Sequence, residues 1–64
     1  MPKKIRELRG TLKKAGFVCK KGKGSHTKWR HPRRKGLVVL SGNDGADAKQ
    51  YQEEEVTKAL ADIA

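Results

Sequence analysis

The chain is poor in the residues that build a large core or a covalent framework. Its 64 residues include one cysteine, three aromatic residues and two prolines. A single cysteine excludes an internal disulfide and a cysteine-rich zinc cluster, and we expect Cys19 to be a small buried side chain rather than a nucleophile. No apolar run follows the basic N-terminus, so we expect no signal peptide, no membrane span and a cytoplasmic location.

Hydrophobic residues are also scarce, at 34% of the chain, and six of them are alanines. We expect residues 1–64 to form a single small domain, and a domain of this size buries only about 60% of the surface that its unfolded chain exposes. Such a core leaves no room for a deep pocket. We therefore expect no small-molecule cofactor, and a function that is carried by an open surface.

Acidic residues are almost absent from the first part of the chain. Residues 1–40 contain fourteen lysines and arginines against one acid, Glu7, whereas residues 41–64 contain two lysines and six acids. The net charge of +9 is therefore concentrated in one region. A region of this kind attracts a polyanion through Coulomb forces and counterion release, which favours RNA or DNA as the partner.

Apolar residues recur at helical spacing near both ends of the chain and at strand spacing between them. The third strand is apolar throughout, so we expect it at the centre of the sheet. The order predicts an α+β fold, α-β-β-β-α, with both helices on one face of a three-stranded antiparallel sheet and an open, basic second face. The predicted elements are a helix from Pro2 or Lys3 to Ala15, strands Phe17–Lys20, Ser25–His31 and Leu37–Leu40, and a helix from Gln50 or Tyr51 to Ile63.

The second predicted strand alternates between two faces. Trp29 is the largest apolar side chain, so we expect its face to point to the core. His26, Lys28 and Arg30 then lie together on the solvent face. The alternative for Trp29 is a platform on which an RNA base stacks.

The stretch from Lys20 to His26 concentrates groups that bind a phosphate. Its lysines supply charge, and Gly22 and Gly24 let backbone N–H groups approach an anion closely. Ser25 either orients a phosphate or starts the strand. His26 is the candidate general base, because an imidazole exchanges protons near neutral pH. The candidate RNA-binding residues are Lys20, Lys21, Lys23, Gly24, Ser25, Lys28 and Arg30.

The order of these features resembles the HicA-type toxins, which are small mRNA interferases of bacterial toxin–antitoxin systems. The resemblance implies a fold like that of double-stranded-RNA-binding domains. It also implies ribosome-independent endoribonuclease cleavage of mRNA, a catalytic histidine at His26, and inhibition by a HicB-type antitoxin. The features that carry it, over nearly the whole chain, are Ala15-Gly16-Phe17 after the first helix, Gly24-Ser25-His26, His31-Pro32, the Leu37–Leu40 strand and the final amphipathic helix.

In one respect the chain departs from the family pattern. Many members carry a Pro-x-His element after the third strand, where this chain has the turn residues 41–45, Ser-Gly-Asn-Asp-Gly. His31 precedes Pro32 and has the opposite strand parity to His26, so we expect neither a catalytic pair of histidines nor a metal site. We also expect no carboxylate beside His26. The general acid is then either His26 itself or a neighbouring lysine.

Two other functions fit the same charges. One is a non-catalytic RNA- or DNA-binding module, and the other is a ribosome-associated structural protein. RNA cleavage that depends on His26 distinguishes the enzyme from both. Binding weakens steeply with salt in every case, because phosphate contacts dominate the affinity.

Overall fold

The computed structural model describes residues 2–64, which form two helices and three strands. The order α-β-β-β-α and the antiparallel pairing confirm the predicted α+β fold. Neither helix of this part of the chain combines the length and the apolar character needed to span a bilayer. The elements are α1 (Ile5–Lys14), β1 (Val18–Lys21), β2 (Thr27–His31), β3 (Arg34–Leu40) and α2 (Gln50–Ile63).

The start of α1 lies later than predicted. Before it, the extended backbone pairs with the segment that precedes α2: the N–H of Ala48 donates to the carbonyl of Lys3 at 2.7 Å, and Lys4 forms an isolated bridge with Asp47. The first helical N–H, that of Ile5, donates to a carbonyl of the same loop at 2.9 Å. Since helix starts leave their N–H groups unpaired, the loop between β3 and α2 determines where α1 begins.

The strand order in the sheet is β1-β2-β3, so the central strand is β2. The prediction that the third strand is central is wrong, because each strand pairs with the next and no further strand follows β3 within residues 2–64. The apolar residues of β3 alternate between the core and the opposite face of the sheet. Val38 and Leu40 are buried in the core, whereas Leu37 and Val39 are 50% and 41% exposed on the other face.

The strand boundaries differ from the prediction at both hairpins. β1 is shifted by one residue, and β2 begins at Thr27 because the residues before it form a turn. β3 begins at Arg34, earlier than predicted, because Pro32 and Arg33 alone form the second turn. Gly36, with φ +87°, lies where the β2–β3 register is irregular, as expected for a β-bulge.

One apolar cluster joins both helices to one face of the sheet. Trp29 is only 4% exposed, which confirms its interpretation as a core residue. Its indole N–H donates to Thr27 Oγ1 at 3.0 Å, and that hydroxyl donates to the carbonyl of Leu40. The ring is therefore buried with its polar group satisfied, which stabilises the fold. The cluster consists of Ile5, Leu8, Leu12, Phe17, Trp29, Val38, Leu40, Ala48, Val56 and Ala59.

The other face of the sheet, which we call the open sheet face, is less uniformly basic than predicted. Lys28 and Arg30 are exposed there, and strand pairing sets Lys20 beside Lys28. Apolar side chains lie among these cations, since Val18 pairs with Arg30 and Val39 pairs with Lys28. Val18 is 60% exposed, so the open sheet face is a mixed basic and apolar surface.

The prediction that Cys19 is buried is wrong, because its side chain is exposed. Cys19 belongs to β1, which is an edge strand of the described sheet. It pairs with the buried Trp29 and therefore points to the helix side of the sheet. An open groove lies between this part of β1 and α1, so the helix does not cover Cys19.

Gly10 provides a test of how α1 is built. It lies inside the helix, where glycine costs about 1 kcal/mol relative to alanine, and a Cβ built at Gly10 meets no atom within 4 Å. We expect Gly10→Ala to raise the free energy of unfolding by roughly 0.5–1 kcal/mol in urea denaturation followed by circular dichroism.

Gly42→Ala is the contrasting variant for that measurement. Gly42 has φ +110° and lies against Ile5, so an alanine there is strained and should lower the free energy of unfolding. A Gly10→Ala protein that is less stable than the wild type would contradict the open packing of α1 at this position.

Candidate nucleic-acid interface and active site

The turn between β1 and β2 presents His26. The N–H of Gly22 donates to the carbonyl of His26 at 2.9 Å, and the N–H of His26 donates to the carbonyl of Lys23 at 3.1 Å. Gly24, the first central residue of this turn, has φ +59°, the sign that a type II′ hairpin turn requires there. The glycines thus allow a tight turn whose last residue, His26, has an exposed side chain.

The tip of this turn carries unpaired backbone donors. Within residues 2–64, no acceptor takes the N–H groups of Lys23, Gly24 and Ser25. The N–H of Gly22 is not among them, because the carbonyl of His26 accepts it. Three successive free N–H groups at a turn are the kind of donor set that binds an anion.

Ser25 fastens the turn to the loop between β3 and α2. Its hydroxyl oxygen accepts the N–H of Gly42 at 3.2 Å. Ser25 does not start β2, which begins at Thr27, so that interpretation of the residue is wrong. The hydroxyl hydrogen is not used in the bond to Gly42, which leaves it able to meet a phosphate oxygen.

His26 borders a shallow depression of about 210 Å³ on the helix side of the sheet, which we call the His26 depression. α1 contributes Arg9 to it, β1 contributes Lys21, and the loop between β3 and α2 contributes Asn43 and Asp44. Three separate parts of the chain therefore meet at the depression that His26 borders. The full lining is Arg9, Lys21, Gly24, Ser25, His26, Thr27, Gly42, Asn43 and Asp44.

An ion pair closes one side of the His26 depression. Arg9 Nη1 and Asp44 Oδ1 are 2.5 Å apart, and both side chains are partly exposed. The expectation that no carboxylate lies beside His26 is therefore wrong, because Asp44 lines the same depression. An exposed pair contributes about 1 kcal/mol at most, and its effect here is to favour a guanidinium position at the edge of the depression.

The predicted site residues separate into two sets. The expected shared face of His26, Lys28 and Arg30 is not observed, because β2 begins at Thr27 and strand alternation does not extend back to His26. The set that lines the depression is Lys21, Gly24, Ser25 and His26, and the set on the open sheet face is Lys20, Lys28 and Arg30, with Lys23 exposed at the tip of the turn.

Sequence reasoning missed Arg9, Asn43 and Asp44. Arg9 is identifiable only as a residue on the polar side of a helix, and helical spacing says nothing about which loop that side faces. The residues from Ser41 to Gly45 are identifiable as a turn, but no pattern in them indicates contact with α1. The opposite charges of Arg9 and Asp44 are the only signal, and many other pairs in the chain offer the same signal.

A known protein family matches almost the entire chain. The family model described as the HicA toxin of bacterial toxin-antitoxin matches residues 5–61. The chain belongs to the HicA toxin family. No curated protein and no solved structure matches it.

His31, the second histidine of this HicA-family chain, makes contacts within the fold rather than at the candidate site. His31 ends β2, about 13 Å along the strand from Thr27. Its Nδ1 accepts the N–H of Arg33 at 3.1 Å, and its ring packs against Phe17 with the ring centroids 5.1 Å apart. His31 therefore lies outside the His26 depression. Within the described chain, no three His, Cys, Asp or Glu side chains lie close enough together to hold a metal ion.

A buried amide holds the loop that carries Asp44. Gln52 is 2% exposed, and its Oε1 accepts the N–H of Lys49 at 2.8 Å. Its Nε2 donates to the carbonyl of Ser41 at 3.0 Å. The side chain thus joins the two ends of the loop between β3 and α2, which positions one wall of the His26 depression.

We expect Gln52→Leu to lower the free energy of unfolding by about 1–3 kcal/mol, because leucine keeps the volume but leaves buried backbone groups unpaired. Urea denaturation measures this change. Gln50→Leu is the matched control, since Gln50 is exposed on the same helix and its amide donates only to Glu54. If both variants were equally stable, the loop would not depend on the Gln52 amide.

Proposed function

We propose that this HicA-family chain is an endoribonuclease toxin that cleaves mRNA and uses His26 as its general base. The observation that carries the proposal is the His26 depression, in which the exposed residue His26 shares one small space with Arg9 and Lys21. A base beside cations is suited to phosphodiester cleavage, which needs proton transfer and stabilisation of negative charge. Membership of a toxin family supports the same function.

In the proposed reaction, one proton is removed from the attacking oxygen and one proton is given to the leaving oxygen. His26 accepts the proton of a ribose 2′-hydroxyl, and the 2′-oxygen attacks the adjacent phosphorus. The bond between phosphorus and the 5′-oxygen of the next nucleotide breaks, and the imidazolium returns its proton to that oxygen. The products are a 2′,3′-cyclic phosphate and a 5′-hydroxyl end. These steps use no metal ion.

Negative charge grows on the phosphate during this reaction. Lys21 and Arg9 are the charged groups beside His26 that would stabilise it, and the free N–H groups at the tip of the turn would donate to the phosphate oxygens. Asp44 acts indirectly, because its carboxylate holds the guanidinium of Arg9 at the edge of the depression. The N–H groups belong to the backbone of a hydrogen-bonded turn, so they need little rearrangement when the charge develops.

The proposed partners are RNA and an antitoxin protein of the HicB type. The family is one of toxin–antitoxin systems, which supports an inhibitor for this chain. The His26 depression is shallow and open, so a protein surface laid over it would exclude RNA. Because residues 1–40 are strongly basic, we expect the surface of such a partner to be acidic.

We expect His26→Ala to lower the rate of RNA cleavage by roughly 100-fold or more, because general acid–base catalysis typically contributes at least that factor. The measurement is cleavage of end-labelled RNA by purified protein in the presence of EDTA, with identification of the 2′,3′-cyclic phosphate ends. His26 is exposed, so the variant should remain folded by circular dichroism.

His31→Ala is the matched control, and cleavage per folded molecule should persist in it because His31 lies outside the depression. On expression in bacteria, the wild type should arrest growth and degrade mRNA, whereas His26→Ala should do neither. If the wild type and His26→Ala bind RNA equally and neither cleaves it, the proposal is wrong and the chain is a non-catalytic RNA-binding module.

A further inference from the structure

We propose that a single-stranded RNA segment next to the cleaved phosphodiester binds in a groove between α1 and β1, and not across the open sheet face. The proposal rests on the proposed function and adds a substrate-binding site to it. The groove has a volume of about 560 Å³, against about 210 Å³ for the His26 depression. We call it the α1–β1 groove, and its outer lining includes Arg6, Arg9, Gly10, Lys13, Val18 and Cys19.

The α1–β1 groove adjoins the His26 depression. Arg9 and Asp44 line both of them, so the two spaces meet at this ion pair. An RNA strand with a phosphate at His26 therefore enters the groove by passing the Arg9 guanidinium. The ion pair also offsets the charge of Asp44, which would otherwise repel the strand.

Three cations follow the rim of the groove along α1. Arg6, Arg9 and Lys13 are three and four residues apart, so they share one side of the helix at intervals of about 4.5 and 6 Å along its axis. Arg6 and Lys13 are exposed, and neither forms an ion pair within residues 2–64. A row of three cations that passes the His26 depression at Arg9 suits successive phosphates of one strand.

The floor of the groove is apolar. Cys19 is exposed there, and the rings of Phe17 and Trp29 lie beneath at 4% exposure each. Gly10 keeps the helix side of the groove open, because it has no side chain and a Cβ there meets no atom within 4 Å. A charged rim over an apolar floor fits a phosphate chain whose unpaired bases lie inward, which favours a single strand over a duplex.

The open sheet face is the competing path for the RNA. Lys20, Lys28 and Arg30 lie on it, but none of them lines the His26 depression or the α1–β1 groove. Lys21, one residue along β1, is on the helix side with His26. RNA held at His26 would have to turn around the edge of β1 to reach the open sheet face, whereas the α1–β1 groove requires no such turn.

The test compares double variants that remove equal charge. Arg6→Gln/Lys13→Gln changes the groove, Lys28→Gln/Arg30→Gln changes the open sheet face, and Lys49→Gln/Lys58→Gln changes the α2 side as the matched control. The ligand is a short RNA of mixed sequence with 2′-O-methyl groups, which cannot be cleaved because it has no 2′-hydroxyl. Fluorescence anisotropy at several salt concentrations measures its affinity.

We expect the groove variant to bind on the order of tenfold more weakly than the α2 control, with a log K against log salt slope smaller by roughly 1.4, about 0.7 for each lost contact. If the groove variant binds like the α2 control, the proposal is overturned. The same holds if the loss of affinity and of salt slope occurs only in the open sheet face variant.

Cys19 supplies an independent readout, because it is the only cysteine of the chain and it lines the groove. Iodoacetamide should alkylate it in the free protein, and saturating 2′-O-methylated RNA should slow that reaction severalfold. Mass spectrometry measures the rate. An unchanged rate with bound RNA would overturn the groove, whatever the result for cleavage.

The two proposals fail in different ways in these experiments. Cleavage that depends on His26, together with an unprotected Cys19, supports the nuclease and rejects the groove as the RNA path. A protected Cys19 without any RNA cleavage rejects the nuclease and retains the groove as an RNA-binding site.

Discussion

The geometry of the candidate site depends on the way in which the loop between β3 and α2 is fastened. Its carbonyls accept the first N–H groups of α1, Gly42 donates to Ser25 in the β1–β2 turn, and the Gln52 amide joins the two ends of the loop. Each such bond contributes only about 0.5–1.5 kcal/mol. Together they connect three parts of the chain, and this brings Arg9 to the same depression as His26.

A domain of this size builds its candidate site at the rim of the core rather than inside it. The ten buried apolar residues join two helices to one sheet face, and a core this small leaves little room for a pocket inside it. The groups suited to RNA chemistry therefore lie on a turn, a loop and the outer side of a helix. Such positions are open to a long polymer, and they are also open to a protein that would cover them.

The elements were predictable because their periodicity is local. Ile5, Leu8 and Leu12 repeat at helical spacing, and Trp29 alternates with its charged neighbours in the strand. The position of β3 at the edge of the sheet was not predictable in this way. An apolar strand is typical of a sheet that is buried on both faces, but the number of strands that pair with it is set by the topology. The exposure of Cys19 likewise depends on how far α1 extends over the edge of the sheet. The identity of this one residue does not predict that distance.

The sequence by itself determined the order of helices and strands, the basic character of the first forty residues and the likeness to HicA toxins. These properties follow from local spacing, composition and motif order. Only the tertiary structure decided which charges meet: it separates Lys28 and Arg30 from His26, and it joins His26 to Arg9 and Asp44. The physical reason is that His26 lies in a turn, so strand alternation does not place it on the same face as Lys28 and Arg30. The loop between β3 and α2, which is distant in sequence, is hydrogen-bonded to that turn.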